Sequence, residues 1–356
     1  MTLKVVHFGT GNTGMFGVRQ ILDHPELELV GHYVMSPEKI GVDSGTLVGR
    51  DPCGIIATNN LEELLALDAD CFCHMGDSIG KGTEPVELCA RFLERGTNVA
   101  SLSIFPWAHP ASCAPELRDP AEAACEKGQS TAFFTGIDPG WATTDLAIAA
   151  LAGAGRIDCV RVCELGYWRG YDAEYVCREY WGFGQPPGFK PQLIAGGVLQ
   201  DMWAPTIYEI ADKLDVEIEE FNIVHEVDTV DYDVETAFGL VKAGTAVALH
   251  FELQGMSGGR PMVIVEHNDL CVRDAGKQWK LPYNDTDLAY RIEIEGDPDY
   301  QLELSFDAPQ GLAVTAMTVV NSIPKVCAAS PGLKGPYELP RYWSRVVDGR
   351  KMMTQA

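Results

Sequence analysis

The sequence lacks any uninterrupted apolar run long enough to span a membrane, and it is poor in positive charge. Its 27 lysine and arginine residues stand against 51 aspartate and glutamate residues, which gives a formal net charge of −24. Because a surface this negative repels phosphate backbones and anionic lipid, nucleic acids and membranes are poor partners for it. We therefore expect a small-molecule substrate, and any anionic cofactor has to be bound by local geometry.

The N-terminus also lacks the charged-then-apolar organisation of a secretion signal. Cysteine is not scarce, but the eleven cysteines are scattered through strand-like and helix-like segments of a chain long enough to need no disulfide bonds. We therefore expect free buried thiols and a cytoplasmic protein. Cys71, Cys73 and His74 are close in sequence, but no second ligand cluster follows, so we predict no metal site.

The pattern of apolar residues changes along the chain and predicts two domains. Residues 1–140 alternate short apolar runs with helical patterns, which is typical of an α/β Rossmann domain with a doubly wound parallel sheet. Residues 141–310 contain extended segments joined by short turns, and they predict an α+β domain with an open mixed or antiparallel sheet for substrate binding and dimerisation. A helical pattern near residues 310–330, broken near Pro324, is expected to pack back on the first domain.

Three glycines interrupt a strand-to-helix pattern near the N-terminus, with the spacing Gly-x-Gly-x-x-Gly. Gly9 permits a tight turn, Gly11 leaves room for a pyrophosphate, and Gly14 lets the helix pack closely on the strand. The N-terminus of the helix then offers N–H groups and a positive dipole to the phosphates. We therefore predict a dinucleotide site. Its phosphate-binding residues are Gly9, Thr10, Gly11, Asn12, Thr13 and Gly14.

The cofactor type depends on the residues that follow the second strand, "LELVGHYVM". An Asp or Glu at this place usually binds the ribose hydroxyls of NAD. Here Ser36 comes first, Glu38 is displaced and Lys39 adds a positive charge, a combination that suits the 2′-phosphate of NADP. Because Lys39 could equally be a solvated surface charge, we expect NADP and keep NAD as the alternative cofactor.

Six segments of the chain together resemble one known family. They are the glycine turn and the stretches "YVMSPEKIG", "TGIDPGW", "VEHNDL", "YRIEIEGDPDYQLEL" and "VVNSIPKVCAASPG". The chain resembles the dihydrodipicolinate reductase-like family, in particular the branch that contains 2,4-diaminopentanoate dehydrogenase and the native amine dehydrogenases. The resemblance implies an NAD(P)-dependent oxidoreductase that acts on a C=N or C=O carbon and works as a homodimer.

The resemblance also implies roles for individual residues. His74, Met75 and Gly76 match a loop that borders the cofactor ribose, and Asp138 in "GIDPG" matches a turn near the nicotinamide.

Two features of the family are missing. "CELGYWRGYD" lacks the paired histidines and the lysine of true dihydrodipicolinate reductases, and "NVASLSIFPWAHP" lacks the catalytic glutamate of the amine dehydrogenases. Three interpretations therefore stay open: an oxidoreductase with altered catalytic groups, a non-catalytic dinucleotide-binding sensor or degenerate subunit, and a reductase of an activated alkene.

Hydride transfer needs a proton source beside the acceptor carbon and a pocket that excludes water. Asp138 is the first catalytic candidate, although an Asp at this place is equally typical of a helix N-cap. Glu164 and Tyr167 follow on the first strand of the second domain, and each could instead be a structural hydrogen-bonding group. His109, in "PWAHP", is the fourth candidate, and a lone loop histidine is more often structural.

Aromatic residues are dense between Tyr167 and Phe183, at a spacing that is neither helical nor alternating. We interpret this segment either as a loop that lines the substrate pocket or as an intersubunit contact. If it lines the pocket, the substrate is apolar and fairly bulky. The predicted substrate-binding residues are Tyr167, Tyr171, Trp181 and Trp141.

Overall fold

A computed structural model describes residues 2–78 and 80–347 of the chain. These residues divide into two compact units. The first contains the described residues up to Gly136 and those from Leu312 onwards, and the second is Ile137–Gly311. Within the described residues, no helix is long and apolar enough to cross a lipid bilayer.

Strands and helices are numbered in chain order. The strands are β1 (Leu3–Phe8), β2 (Leu27–Tyr33), β3 (Cys71–His74), β4 (Asn98–Ser101), β5 (Thr131–Phe134), β6 (Arg156–Tyr167), β7 (Glu220–Thr229), β8 (Val234–Thr236), β9 (Gly239–Val241), β10 (Ala246–Ser257), β11 (Arg260–Leu270), β12 (Leu288–Asp297), β13 (Tyr300–Phe306) and β14 (Gly332–Lys334). The helices are α1 (Asn12–Asp23), α2 (Ser44–Leu47), α3 (Leu61–Leu65), α4 (Glu84–Leu93), α5 (Pro115–Gly128), α6 (Leu146–Ala150), α7 (Gln192–Ala195), α8 (Val198–Leu214) and α9 (Ala308–Val326). Short helical turns lie at Pro37–Lys39, Phe105–Ala108, Leu151–Gly153 and Val176–Trp181, and Ile137–Asp145 is an irregular turn.

The first unit is built on a six-stranded sheet with the order β14-β5-β4-β3-β1-β2. Every neighbouring pair is parallel. β3 and β5 are buried over their whole length, as expected for strands of a parallel sheet that is covered on both faces. The predicted Rossmann-like parallel sheet is confirmed.

Apolar side chains cover both faces of this sheet. On one face Phe72 of β3 stacks on Phe92 of α4, with 3.9 Å between the ring centroids. On the other, Val5 of β1 belongs to a cluster that includes α1 and the buried Ile323 of α9. α9 passes through Pro324 and ends at Val326, just beyond the predicted break.

The second unit contains a mixed sheet with the order β13-β12-β6-β11-β10-β7. β6 and β11 are parallel, and the other neighbouring pairs are antiparallel. One face packs against α8, where the Trp203 ring lies 5.6 Å from that of Phe251. Gly255 of β10 leaves room for this helix, because a Cβ there would lie 2.5 Å from Ile207. The predicted second domain with a mixed sheet is also confirmed.

The opposite face of this sheet carries charged side chains that are buried as ion pairs. Arg161 of β6 pairs with Glu252 of β10 and, at 2.6 Å, with Glu266 of β11. Lys280 adds a second cation 2.7 Å from Glu266. Buried carboxylates of this kind are tolerated because each has a cation beside it. α8 covers the other face of the sheet, on which Phe251 and Gly255 lie.

Candidate active site

The glycine turn joins β1 to α1 and is shaped by contacts within the first unit. Gly9 has a φ of +121°, and a Cβ on it would lie 2.4 Å from the carbonyl oxygen of Met75. A Cβ on Gly14 would lie 2.4 Å from the carbonyl oxygen of Gly9. The turn itself therefore requires both glycines, whether or not a ligand binds.

Gly11 is different, because the packing of the protein does not require it. Its φ of −72° is ordinary for any residue, and among the described residues beyond its own neighbours nothing lies within 4 Å of a Cβ placed there. Gly11 is also the N-cap of α1, and it has no side chain with which to cap the helix. Bare backbone, open space and an uncapped helix N-terminus are what a pyrophosphate needs. The turn therefore fits a dinucleotide.

Lys39 reaches this turn from the segment that follows β2. Its ammonium group donates a hydrogen bond of 2.8 Å to the carbonyl oxygen of Thr10. Ser36 precedes the short helical turn and is partly buried, whereas Glu38 is exposed. Lys39 is thus anchored beside the glycine turn and is not a freely solvated surface charge.

Three further residues support the glycine turn. Met75 donates its backbone N–H to the carbonyl oxygen of Phe8 at 2.8 Å, and a Cβ on Gly76 would lie 2.3 Å from the Phe8 ring. His7, which sequence analysis did not single out, places its Nε2 2.9 Å from the carbonyl oxygen of Gly9. Burial lowers the pKa of His7 to about 3, so the neutral ring donates from Nε2 to that oxygen.

Ser101 and Ser103 lie in the segment where the family resemblance predicts a glutamate. The Ser101 hydroxyl lies 2.9 Å from Nδ1 of His74, whose pKa is lowered to about 3 by burial. Ser103 donates its hydroxyl to the carbonyl oxygen of Gly76. Both serines therefore hold the loop that is predicted to border the cofactor ribose.

His109 lies in the first unit and contacts Ser112 of its own loop. The side chain is buried, and Nδ1 lies 2.8 Å from the hydroxyl and 3.1 Å from the backbone nitrogen of Ser112. These contacts are typical of a structural loop histidine. The other three catalytic candidates belong to the second unit.

Asp138, Glu164 and His267 form a compact cluster in the second unit. Nε2 of His267 lies 3.2 Å from Oδ2 of Asp138, and Nδ1 lies 3.9 Å from Oε1 of Glu164. Glu164 and His267 meet because they are opposite each other in the parallel register of β6 and β11. Asp138 comes from the irregular turn before α6. The structure therefore brings two predicted catalytic residues together around a histidine that sequence analysis missed.

Two side chains hold the carboxylate of Asp138 in place. Trp203 of α8 donates its indole N–H to Oδ2 at 2.9 Å, and Thr143 donates its hydroxyl to Oδ1 at 2.7 Å. An N-cap carboxylate accepts instead from backbone N–H groups at the start of a helix. The contacts of Asp138 thus favour a role in the cluster over the capping alternative.

Glu164 has the most access to solvent of the three. Its side chain is 13% exposed, compared with 1% for Asp138 and for His267. Its Oε2 accepts a hydrogen bond of 2.8 Å from the hydroxyl of Tyr290. Burial raises the pKa of Glu164 to about 8, against the opposing effect of the His267 cation and with the support of the Asp138 charge. This carboxyl therefore exchanges its proton close to neutral pH.

His267 carries the positive charge of the cluster. Its ring stacks on that of Phe251 and meets the Trp203 ring at a steep angle, with both centroid distances at 4.5 Å. Burial lowers the pKa of His267, but the adjacent Asp138 and Glu164 carboxylates outweigh burial and raise it to about 9. The ring is therefore an imidazolium at neutral pH.

The three side chains could also hold a metal ion, because one potential ligand atom from each lies within 4.8 Å of the others. However, the two nitrogens of His267 face different carboxylates. A metal-binding imidazole directs one neutral nitrogen at the ion. The arrangement fits an imidazolium held between Asp138 and Glu164 better than a metal ion held by all three.

Tyr167 does not contact Glu164, although both lie on β6. Its ring lies under the Arg273 guanidinium, 4.7 Å from the centroid to Cζ, and the phenol that contacts Glu164 is Tyr290 of β12. Side chains an odd number of residues apart point to opposite faces of a strand. This alternation separates the two predicted residues.

Two of the other predicted substrate-binding residues, Trp181 and Tyr171, belong to a group of packed aromatic rings. Trp181 is buried, and its ring lies 4.8 Å from that of Trp168. The ring of Tyr171 lies 5.1 Å from that of Trp168. Trp141 is partly buried in the irregular turn before α6.

Comparison with known proteins points to one family. Residues 188–355 match the family model described as the 2,4-diaminopentanoate dehydrogenase C-terminal domain. Over 349 residues the chain is 30% identical to an amine dehydrogenase of Streptomyces virginiae, and the match covers 95% of this chain and 96% of the relative. This chain belongs to the amine dehydrogenase family.

Solved structures show the same fold. The amine dehydrogenase of Mycobacterium smegmatis superposes with a TM-score of 0.78 over 97% of this chain and 98% of that one, at 20% identity. A probable dehydrogenase of Thermotoga maritima gives a TM-score of 0.55 over 94% and 92% of the two chains, at 12% identity.

Membership of the amine dehydrogenase family confirms the resemblance found in the sequence. The protein is accordingly an NAD(P)-dependent oxidoreductase with a small-molecule substrate.

Proposed function

We propose that this protein transfers hydride between a nicotinamide cofactor and the carbon of an imine or carbonyl group, with Glu164 as the group that gives and takes the proton. The observation that carries the proposal is the position of Glu164, which is the most exposed carboxyl of the cluster and lies between His267 and the Tyr290 hydroxyl. Burial raises its pKa to about 8. General acids and bases work best when their pKa lies near the operating pH. Asp138 and His267 are less exposed than Glu164 and change its pKa in opposite directions.

In the direction of reduction, the C=N bond of the substrate gains a hydride at carbon and a proton at nitrogen. The bound dihydronicotinamide supplies the hydride. The carboxyl of Glu164 donates the proton and becomes a carboxylate, which the His267 imidazolium at 3.9 Å and the Tyr290 hydroxyl at 2.8 Å stabilise. In the direction of oxidation, the carboxylate takes the proton back from the amine nitrogen as hydride leaves the carbon.

The charge of the cluster favours an amine or imine over a neutral ketone. Asp138, Glu164 and the nearby Asp269 provide three carboxyl groups around one imidazolium, that of His267. An excess of carboxyl groups in a buried site stabilises a protonated amine or an iminium ion. The name of the Streptomyces virginiae relative, an amine dehydrogenase, supports the same substrate class.

Aromatic rings beside the cluster support an apolar substrate. Trp168 and Trp181 both hydrogen-bond to Asp269, which is two residues from His267 on β11. We propose that these rings and Tyr171 contact the apolar part of the substrate, and that burying it supplies binding energy at roughly 25 cal/mol per Å².

NADP is the proposed cofactor, with NAD as the alternative. Lys39, anchored to Thr10, and Ser36 would bind the 2′-phosphate, and Gly11 supports a pyrophosphate on the glycine turn. Met75 and Gly76, packed against that turn, would border the ribose.

A cytoplasmic homodimer is the proposed assembly. Tyr283 is 61% exposed and its ring lies 3.8 Å from the Arg291 guanidinium, on the charged face of the mixed sheet. Arg291 itself is buried, but exposed Tyr side chains such as Tyr283 are enriched at protein interfaces, which supports pairing through this face. All eleven cysteines are free, which supports a reducing compartment.

A cofactor titration combined with a substrate panel tests the proposed function. NADPH and NADH are titrated by fluorescence, and turnover is then measured with apolar primary amines, cyclic imines, ketones and activated alkenes. We expect turnover of amines and imines. Cofactor binding without turnover of any class would favour the sensor, and turnover of activated alkenes alone would favour the alkene reductase.

A further inference from the structure

Asp269 is a buried carboxylate of β11 to which the proposed proton transfer assigns no role. The residue is 0% exposed, and it lies two residues after His267 on the same face of the strand. Its Oδ1 accepts the indole N–H of Trp168 at 2.8 Å, and its Oδ2 accepts that of Trp181 at 2.8 Å. A carboxylate can accept both bonds, whereas a protonated carboxyl would have to use one oxygen as a donor.

The surrounding backbone leaves room for this arrangement. Gly166 of β6 is opposite Asp269 in the strand register, and a Cβ on it would lie 2.7 Å from Nε1 of Trp168 and 3.0 Å from Oδ1 of Asp269. The two indole rings, which come from separate parts of the aromatic segment, lie 4.8 Å apart. One carboxylate therefore fixes two large rings at the same place.

Burial raises the pKa of Asp269, whereas the His267 cation and the two indole N–H groups oppose this rise. Burying the ionised carboxylate therefore costs free energy that these partners only partly offset. A neutral side chain would fill the same space without that cost. Holding the two indole rings therefore does not by itself explain a carboxyl group at this position, and the neighbouring cluster offers a further explanation. A negative charge at this position stabilises the His267 imidazolium and opposes the ionisation of Glu164.

We propose that Asp269 is a positioning residue whose two hydrogen bonds fix Trp168 and Trp181 as the wall for the apolar part of the substrate. Because it lies two residues from His267 on the same face of β11, it also places a carboxyl group beside the cluster. This inference rests on the proposed function, because the wall and the proton matter only if a substrate binds beside Glu164. It assigns the preference for bulky substrates to the hydrogen bonds of one buried carboxylate. Side-chain volume alone would not require those bonds.

Asp269→Asn tests the proposal, because it keeps the volume but removes the charge and one acceptor. The amide oxygen can accept one indole N–H, and the amide NH₂ would face the other donor. We expect KM for bulky apolar amines to rise roughly tenfold, with KM for the smallest turned-over amine little changed. We also expect the apparent pKa of kcat to fall, since a charge that opposes ionisation of Glu164 is lost.

Glu226→Gln is the matched control. Glu226 accepts the indole N–H of Trp279 at 3.0 Å, but this pair is exposed and lies outside the aromatic segment. It should change neither the dependence of KM on substrate size nor the pH profile. If Asp269→Asn fails to fold, Trp181→Phe removes one donor, keeps an aromatic ring and should change KM in the same direction.

Acrylamide quenching of tryptophan fluorescence in the free enzyme separates this proposal from the proposed function. Quenching should increase in Asp269→Asn and stay unchanged in Glu226→Gln, even if no substrate is turned over. Unchanged quenching would overturn the fixing of the two indoles. A KM that rises equally for small and bulky amines, or an unshifted pH profile, would overturn the role in specificity and in proton transfer.

Discussion

At the scale of single residues, folding requires two glycines of the glycine turn, and we expect cofactor binding to require the third. A Cβ on Gly9 or Gly14 would overlap a carbonyl oxygen, whereas a Cβ on Gly11 would enter open space. The packing of the described residues therefore does not require glycine at position 11. A ligand that closely approaches the backbone would require it.

Gly11→Ala is predicted to fold like the wild type and to bind NADPH at least roughly tenfold more weakly, because its methyl group takes the space of the pyrophosphate. Gly14→Ala is the matched control: its methyl group overlaps the Gly9 carbonyl, so it should lower the free energy of unfolding by ~1–3 kcal/mol. Thermal unfolding and fluorescence titration of both variants measure the two effects. Wild-type NADPH affinity in Gly11→Ala would remove the argument for a phosphate site.

Lys39→Ala is predicted to raise the dissociation constant of NADPH roughly tenfold to a hundredfold, since it removes a charged partner of the 2′-phosphate. The same variant also loses the hydrogen bond to the Thr10 carbonyl, so NADH should also bind slightly more weakly. The ratio of the two dissociation constants is therefore the quantity to measure. Lys4→Ala, which removes a surface ion pair with Asp68, is the control. Equal losses for both cofactors would contradict the NADP preference.

At the scale of strands and helices, the three residues of the cluster and the Trp203 side chain that contacts it come from four different elements. Asp138 comes from a turn, Glu164 from β6, His267 from β11, and Trp203 from α8. Protonation of the cluster therefore affects contacts that hold these elements together.

Stability is predicted to fall as the pH rises from about 6.5 to about 8.5. The pKa of His267 is raised from 6.5 to about 9 and that of Glu164 from 4.5 to about 8, so the folded state binds more protons than the unfolded state in this range. The stabilising contribution of His267 is complete below pH 6.5 and that of Glu164 below pH 4.5, and they are lost as the pH rises through the folded-state pKa values of about 9 and about 8. Buried His7 and His74 have lowered pKa values, so they change the free energy of unfolding only below this pH window.

The melting temperature measured across this pH window tests the prediction. Glu164→Gln should show a shallower decline, because the titrating carboxyl is replaced and His267 is left. A melting temperature in the wild type that stays level or rises over the window would contradict the assigned charges of the cluster.

The strands and helices, and two of the three residues of the cluster, could be predicted from the sequence. Strand and helix patterns are local, so the parallel sheet and the mixed sheet could be predicted. Asp138 and Glu164 were found as single candidates, but the pairing of β6 with β11 brings together residues that are far apart in the chain. His267 was therefore missed; the one local signal was the run of four polar residues in "VEHNDL", at the end of an otherwise apolar strand pattern.

At the scale of the whole molecule, the predicted homodimer depends on the face of the mixed sheet that α8 does not cover. Its charges are already paired within the protomer, as in Arg161 with Glu266. The aromatic ring of Tyr283 stands on the same face and is exposed. An interface there would bury an aromatic side chain at little cost in unpaired charge.

Tyr283→Asp is predicted to shift the protein from dimer to monomer, since it places a charge in the proposed interface. Tyr175→Asp is the control, because Tyr175 is 60% exposed and lies on the aromatic segment instead. Light scattering after size exclusion at micromolar concentration measures the mass of each. A monomeric mass for the wild type would contradict the proposed assembly.

The most direct test of the proposed chemistry is the pH dependence of kcat for imine reduction in the wild type and in Glu164→Gln. In the wild type, kcat should fall as the pH rises through about 8, because the proton donor is lost. Glu164→Gln should keep its affinity for NADPH, lower kcat by at least roughly a hundredfold and lose that ionisation. A Glu164→Gln variant with the wild-type kcat and the wild-type pH profile would contradict the assignment of proton transfer to Glu164.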